Sequence, residues 1–157
     1  MEEKTLPPAR AAYIMRKGKY EDLPDAFKKL DAWIGEEGMS SVGAPVLVYH
    51  SNPAGMPPLL REWELQIPVA GETTGAPDEN GPGVKDLPRR EVVFSIYRGG
   101  YASIESLMPA LFQVVYDKGY RLTGPAEEVY PPDFCDMPVE ELETEVRFPV
   151  APRRQQD

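Results

Sequence analysis

Cysteine and histidine are nearly absent from this chain, and their scarcity excludes several kinds of site. Among 157 residues there is one cysteine, Cys135, so no disulfide can form within the chain, and one histidine, His50. One histidine cannot supply a multi-histidine metal site, no Cys/His cluster has zinc spacing, and glycine-rich phosphate-binding motifs are missing. The sequence therefore predicts neither a metal site nor a cofactor, and we interpret Cys135 as an incidental thiol.

Long apolar runs and an excess of positive charge are absent as well. No apolar stretch approaches the roughly 20 residues that span a bilayer, and residues 1–4 have no signal-peptide character. The net charge of −9 disfavours a nucleic-acid partner and favours neutral or cationic ligands, although the acidity also fits a role in solubility alone. These features predict a cytoplasmic protein without a membrane or nucleic-acid partner.

What the chain does contain is an internal duplication. A shift of 81 residues aligns residues 4–70 with residues 85–151 without a gap. The matches fall on glycine, proline and aromatic positions, which constrain the path of the backbone. They include Leu6/Leu87, Pro7/Pro88, Gly18/Gly99, Tyr20/Tyr101, Tyr49/Tyr130 and Glu64/Glu145. Each copy is too small for a large core of its own, so we predict one pseudo-twofold domain over 1–157, with repeat 1 at about 4–70, a linker at 71–83 and repeat 2 at about 85–151.

Hydrophobic periodicity predicts the order strand, helix, strand, strand in each copy. The predicted strands cover 9–16, 44–50 and 63–69, then 91–98, 125–131 and 142–150, and the predicted helices cover 22–37 and 103–118. Pro109 lies deep enough in the second helix to predict a late start or a bend, and we expect a frayed tail from residue 153 onward. Two such units side by side form an α+β fold, with a curved antiparallel sheet, two main helices and a central cleft.

The middle strand of each copy carries the most informative residues. Because side chains alternate along a strand, Leu47 and Tyr49 share one face in repeat 1, as Glu128 and Tyr130 do in repeat 2, and the valine between them points to the other face. If these valines pack beneath the helices, the tyrosines and Glu128 point to the opposite surface, where the copies meet. Glu128 replaces Leu47 in the duplication, which predicts a single carboxylate among aromatic rings.

Such a carboxylate suits a lipophilic cation, to which each ring face adds about 0.5–2 kcal/mol. Burial would also raise its pKa, so Glu128 with the hydroxyl of Tyr130 could serve as general base and acid. The alternative interpretation is that Glu128 is a solvated strand residue and the tyrosines only cover a sheet. Further candidates for the walls of the cleft are residues that the pattern also allows in the core: Phe27, Trp63, Tyr97, Met108 and Phe112.

Glu145 is a second candidate acid, and it recurs in the duplication as the equivalent of Glu64. Both precede a branched residue and a Pro-Val strand end. The alternatives are that these two carboxylates face solvent or that they pair with Arg61 or Arg147.

Several segments together resemble the GyrI-like effector-binding domains, over residues 4–151. They are the repeated Leu-Pro, Lys-Gly-Lys-Tyr ending at residue 20, Trp-Ile-Gly-Glu-Glu-Gly at 33–38, Gly-Pro-Ala-Glu-Glu-Val-Tyr at 124–130 and Thr-Glu-Val-Arg-Phe-Pro-Val at 144–150. The resemblance implies tandem units around a groove that binds lipophilic, often cationic, small molecules. It also implies that Glu128, in the Glu-hydrophobic-Tyr strand, faces the ligand, and that Phe27 matches the family's helix-borne aromatic residue.

Three functions follow from the residues and the resemblance. The leading one is a stand-alone protein that sequesters or senses lipophilic, cationic xenobiotics, since the chain begins at the first strand and we expect no helix-turn-helix before it. The first alternative is a hydrolase of strained cyclopropane-bearing compounds, as in a subset of the family, using the same aromatic cage and Glu128. The second alternative is a protein-interaction role, such as binding to a topoisomerase. The sequence does not predict an oligomeric state.

Overall fold

The computed structural model describes residues 1–73 and 80–153. Its two α-helices are α1 (Leu23–Glu36) and α2 (Ile104–Asp117). Its strands are, in chain order, β1 (Glu2–Leu6), β2 (Ala9–Lys17), β3 (Ser40–Ser41), β4 (Val46–Tyr49), β5 (Glu62–Ala70), β6 (Gly83–Leu87), β7 (Arg90–Arg98), β8 (Tyr120–Leu122), β9 (Ala126–Val129) and β10 (Glu143–Pro152). The predicted α+β class is confirmed, and each predicted helix and strand is present, but each copy also contains two short strands that were not predicted, β1 and β3 in repeat 1 and β6 and β8 in repeat 2.

The long strands form one curled antiparallel sheet, a half-barrel, in the order β1-β7-β10-β9-β4-β5-β2-β6. The short strands β3 and β8 extend it by pairing with β5 and β10. At the centre β4 pairs with β9, and Leu47 lies directly opposite Glu128. Because these two residues occupy equivalent positions in the duplication, the pseudo-twofold axis passes between them. The replacement of Leu47 by Glu128 therefore lies at the centre of the sheet.

The first strand of each copy pairs within the other copy. β1, from repeat 1, pairs with β7 of repeat 2, and β6, from repeat 2, pairs with β2 of repeat 1. Neither strand was predicted from the sequence, and the first residue of β6, Gly83, falls at the end of the predicted linker. The exchange ties the ends of the two copies together, and from it we infer that they fold as one unit, as predicted for repeats of this size.

Each helix buries one apolar stripe on the concave face of the sheet. The stripe of α1 consists of Leu23, Ala26, Leu30 and Ile34, and that of α2 consists of Ile104, Met108, Leu111 and Val115. The expected late start of the second helix is wrong, because α2 begins at Ile104 and includes Pro109. The side of the helix that carries Pro109 is exposed, so the carbonyl of Glu105, which loses its helical partner, can be hydrated.

The central strands face the helices, and this corrects the expected orientation. Leu47 and Tyr49 belong to the core formed with both helices. Val48 points the other way, toward a cavity that it lines together with Glu64 and Glu127. Alternation along the strand is as predicted, but the valines are not the residues beneath the helices. The candidate residues of β4 and β9 thus lie between the sheet and α1 and α2.

Most of the predicted linker and tail lies outside the described residues, at 74–79 and 154–157. The predicted fraying of the tail is wrong for Arg153. Its backbone N–H donates to the carbonyl of Gly119 at 2.8 Å, and its guanidinium lies 3.9 Å from the centre of the Tyr116 ring. This contact is a cation–π interaction that holds the end of β10 against α2.

Candidate functional site

Glu128 is buried at the centre of the sheet, with 1% of its surface exposed. The hydroxyls of Tyr49 and Tyr130 donate to its Oε1 at 2.5 and 3.0 Å, and the hydroxyl of Thr144 donates to its Oε2 at 2.5 Å. Glu128 forms no ion pair with any residue in 1–73 or 80–153. The three hydroxyls satisfy its oxygens but leave its negative charge without a counter-charge.

Burial raises the pKa of Glu128 above its usual value of 4.5, although the hydrogen bonds from Thr144, Tyr49 and Tyr130 act in the opposite direction. Burial and the neighbouring carboxylate also raise the pKa of both tyrosines well above 10.0. The tyrosines therefore stay protonated and act as donors. Desolvation dominates at Glu128 because residues 1–73 and 80–153 place hydroxyl dipoles around this carboxyl but form no ion pair with it.

Aromatic rings surround this carboxyl on the repeat 2 side. Tyr130 packs against Tyr101 and Phe134, with ring centroids 6.3 and 5.2 Å apart. Phe134 also meets Phe27 of α1 edge-on, at 5.2 Å. Phe134 thus bridges the first helix and the second central strand, and it brings the predicted wall residue Phe27 into the cluster.

The repeat 1 side of the same site has a different composition. Tyr20 packs edge-on against Tyr49 at 5.2 Å, and the guanidinium of Arg61 lies 4.9 Å from the centre of the Tyr20 ring. Arg61 donates to the carbonyls of Pro53 and Met56 and pairs with Glu105 of α2 at 3.2 Å. A cation is therefore fixed at the repeat 1 end of the cluster, while the carboxylate belongs to repeat 2.

The predicted cleft is filled by side chains in this structure. Glu128, Tyr49 and Tyr130 are all buried, and none of the five cavities described within residues 1–73 and 80–153 is lined by any of them. The segment between β9 and β10 covers the repeat 2 side, because Phe134 is buried against Tyr130 while the nearby Asp133 and Asp136 are exposed. A ligand at Glu128 therefore requires this cover to move.

The other predicted wall residues divide into two groups. Trp63 and Met108 are fully buried in the core between the sheet and the helices, on the same side of the sheet as Tyr49. The indole of Trp63 donates to the carbonyl of Gly18 at 3.2 Å. Tyr97 lies directly opposite Thr144 in the ladder, next to the site. Phe112 is elsewhere: it packs against Phe148 and lines a separate open cavity of about 570 Å³ with Tyr116 and Tyr120.

Glu145 lies on the opposite face of the sheet from Glu128. It pairs with Lys4 at 2.7 Å and with Arg147 at 3.4 Å, which agrees with one of the predicted alternatives. Its equivalent, Glu64, is buried and binds Lys85, His50 and Gln66 rather than Arg61. Burial raises the pKa of Glu64, but the hydrogen bonds from His50, Lys85 and Gln66 outweigh it and leave that pKa below 4.5.

Four members of the cluster were missed in the sequence: Tyr20, Tyr101, Thr144 and Phe134. A signal existed for the first three. Tyr20 and Tyr101 are equivalent in the duplication, and Thr144 occupies the position of Trp63, so alternation along β10 places it on the same face as the tyrosines. Phe134 has no such signal, because its burial depends on how a loop folds back over the sheet.

The half-barrel with two helices and a buried acid between them defines a class of small-molecule binding domain. The family profile described as the GyrI-like small molecule binding domain matches residues 1–151, and the chain belongs to that family. No curated protein sequence matches the chain. No helix within the described residues has the length and apolar character needed to cross a membrane.

Solved structures share the fold at low sequence identity. The chain of EcmrR in its complex with DNA superposes with a TM-score of 0.80 at 19% identity over 98% of this chain, which spans 57% of that longer chain. The EcmrR C-terminal domain alone gives 0.72 at 22% identity over 96% of both chains.

Two other solved structures show the same fold. A hydrolase encoded by lin2189 of Listeria innocua gives a TM-score of 0.63 at 15% identity, over 96% of this chain and 91% of that one. SAV2435, solved bound to tetraphenylphosphonium, gives 0.53 at 12% identity, over 96% and 93%.

Proposed function

We propose that this protein binds a lipophilic cation in the site around Glu128, and that it acts by sequestering or sensing that compound. The observation that carries the proposal is a buried carboxyl with three donated hydrogen bonds and no ion pair in the described residues. Burying such a charge without a counter-charge is costly. A bound cation would remove most of that cost, which makes the site selective for positive charge.

The rings around Glu128 fit the rest of such a ligand. Tyr49, Tyr130, Tyr101, Phe27 and Phe134 offer faces and edges within one connected cluster. Ring faces attract cations by about 0.5–2 kcal/mol each and also bury apolar groups. The binding of tetraphenylphosphonium by a protein of the same fold supports the choice of a large aromatic cation as a probe.

Entry of the ligand requires displacement of the cover that carries Phe134. This segment is held against the core by apolar contacts of Phe134, Cys135, Val139 and Leu142, whereas its equivalent in repeat 1 is held by the hydrogen bonds of Arg61. Apolar contacts can be replaced by contacts to an apolar ligand, whereas the hydrogen bonds of Arg61 would be broken without replacement. We therefore place the entrance on the repeat 2 side.

The test is isothermal titration calorimetry, in which the wild type and Glu128→Gln are each titrated with tetraphenylphosphonium. The amide keeps the shape and part of the hydrogen bonding but loses the charge, so we expect at least tenfold weaker binding, which corresponds to about 1.4 kcal/mol. Glu145→Gln is the matched control: it makes the same chemical change on the opposite face of the sheet and should leave the affinity unchanged. Equal affinities of wild type and Glu128→Gln would reject the assigned role.

Hydrolysis is a second candidate, favoured by the hydrogen bond between Tyr130 and a carboxyl whose pKa is raised by burial. Glu128 would take a proton from water as the water oxygen bonds to one carbon of a strained ring and a ring carbon–carbon bond breaks. The Tyr130 hydroxyl would give a proton to the carbon released, and protonated Glu128 would return its proton to Tyr130 through their hydrogen bond. Incubation of substoichiometric protein with an activated cyclopropane tests this. Product formation beyond one equivalent that disappears in Tyr130→Phe would establish turnover, and none beyond background would leave binding as the function.

A further inference from the structure

Tyr20 has a buried hydroxyl without a hydrogen-bond partner in the described residues. Its side chain is 2% exposed, and its oxygen is buried without an acceptor or a donor. Such groups are rare in folded proteins, because burying an unsatisfied hydroxyl costs the hydration that it had in water. An unsatisfied group beside a candidate ligand site is explained if the ligand supplies the missing partner.

The position of Tyr20 links it to the proposed site. Its ring meets the ring of Tyr49 at 5.2 Å and nearly perpendicular, and Tyr49 donates to Glu128 at 2.5 Å. Glu128 accepts hydrogen bonds from Tyr49, Tyr130 and Thr144 but not from Tyr20. Tyr20 therefore belongs to the same cluster as Glu128, next to Tyr49, but its hydroxyl is not paired with the Glu128 carboxyl.

The electrostatic surroundings of Tyr20 keep its hydroxyl protonated. Burial raises its pKa to about 12; Arg61 acts to lower it, and Glu105 and Glu128 act to raise it. The influence of Glu128 agrees with a hydroxyl close to the proposed cation site. Because the hydroxyl is protonated, and the guanidinium of Arg61 beside its ring is already paired with Glu105, the hydroxyl of Tyr20 can donate to an acceptor that a ligand brings.

We propose that Tyr20 forms a donor subsite that selects, among lipophilic cations, those that also carry a hydrogen-bond acceptor such as an ester or ketone oxygen. This inference rests on the proposed function of Glu128. The cation would lie against Glu128, at the repeat 2 end, and the acceptor oxygen would reach the hydroxyl of Tyr20, at the repeat 1 end. Sites that hydrogen-bond a ligand discriminate against analogues that lack the matching group, because their own polar atoms then stay unpaired.

The test compares two probes on Tyr20→Phe. Tetraphenylphosphonium has no acceptor atom, whereas rhodamine 6G is a cation of similar apolar character that carries an ester. We expect the affinity for rhodamine 6G, divided by the affinity for tetraphenylphosphonium, to fall threefold to tenfold in Tyr20→Phe. Tyr116→Phe, the same change on an exposed part of α2, should leave the ratio at its wild-type value. An unchanged ratio in Tyr20→Phe would overturn the subsite.

Two further readouts separate the failure of this inference from failure of the proposed function. If Glu128→Gln weakens both probes and Tyr20→Phe leaves their ratio unchanged, only the subsite is wrong; if Glu128→Gln weakens neither, the cation site is wrong and the subsite with it. Without ligand, removing an unpaired hydroxyl should leave the urea midpoint unchanged or raise it. A lowered midpoint would mean that the hydroxyl already has a partner and would contradict the premise.

Discussion

The two halves of the molecule share a backbone plan but differ in polarity at three equivalent positions around the axis. Repeat 1 has Leu47, Trp63 and Arg61 where repeat 2 has Glu128, Thr144 and Leu142. In the cluster around Tyr49 and Tyr130, the buried carboxyl of Glu128 therefore comes from repeat 2 and the buried guanidinium of Arg61 from repeat 1. The comparison teaches that a duplicated fold can keep its structure while its centre becomes directional, with a different chemistry at each end.

Elsewhere the two halves have kept matching interactions. Lys4 pairs with Glu145 and lies 4.1 Å from the centre of the Phe94 ring, and its equivalent Lys85 pairs with Glu64 and lies 4.7 Å from the centre of the Tyr13 ring. These contacts lie on the face of the sheet away from the helices and connect the exchanged strands β1 and β6 to their neighbours. Symmetry has thus been retained where the copies hold each other together.

Replacing Trp63 by the residue of repeat 2 should have the largest effect on stability. Trp63 is 1% exposed and its indole donates to Gly18, so Trp63→Thr should lower the free energy of unfolding by about 3–5 kcal/mol through loss of packing. Thr144→Val, which removes one hydroxyl at the equivalent position, should cost about 1 kcal/mol. Urea denaturation measures both. Similar losses in the two variants would show that the two ends are packed alike.

Lys4 and Lys85, which occupy equivalent positions in the two copies, should differ in their contribution to the free energy of unfolding. Glu64 is 1% exposed, whereas the side chain of Glu145 is 18% exposed. Lys85→Met leaves a buried carboxylate with less support and should cost about 2 kcal/mol, and Lys4→Met should cost less than about 1 kcal/mol because its pair is partly hydrated. Thermal or urea unfolding at low and high salt checks this. Equal costs would mean that burial of the carboxylate does not decide the difference.

Affinity for a permanent cation should depend on pH through Glu128. Because burial raises its pKa above 4.5, binding of tetraphenylphosphonium should weaken as the pH falls through that raised value, by at most tenfold, or about 1.4 kcal/mol, per pH unit. Glu128→Gln should show a flat profile in the same range. A wild-type profile that stays flat down to pH 4.5 would contradict the raised pKa.

The free energy of unfolding should depend on pH with opposite signs at the two buried acids, Glu64 and Glu128. The lowered pKa of Glu64 means that its contribution is present above pH 4.5 and is lost as the pH falls through its folded value. The raised pKa of Glu128 means that its ionised form costs stability, fully above the folded value, and that this cost disappears as the pH falls toward 4.5. Stability curves of Glu64→Gln and Glu128→Gln against pH should therefore diverge from the wild type in opposite directions.

Much of the fold follows from local pattern, and the site follows only in part. The helices and the six main strands were predicted within a few residues, because periodicity and the turn glycines are local signals. β1, β3, β6 and β8 were missed because they are short, and β1 and β6 also lie beside prolines and have their pairing partners in the other copy. Among the site residues, Glu128, Tyr49 and Tyr130 were predicted as a group, whereas Phe112 and Glu145 lie elsewhere.

The sequence alone contains the duplication, the class of fold and the replacement of Leu47 by Glu128 on the central strands, because each of these is written in residue types at fixed spacing. The tertiary structure decided which face of the sheet those side chains occupy, since alternation distinguishes the two faces but does not say which one the helices cover. It also decided that Phe134 closes the site and that Tyr20 lies unpaired beside it. Those contacts join residues far apart in the chain, and only the folded packing brings them within reach of one another.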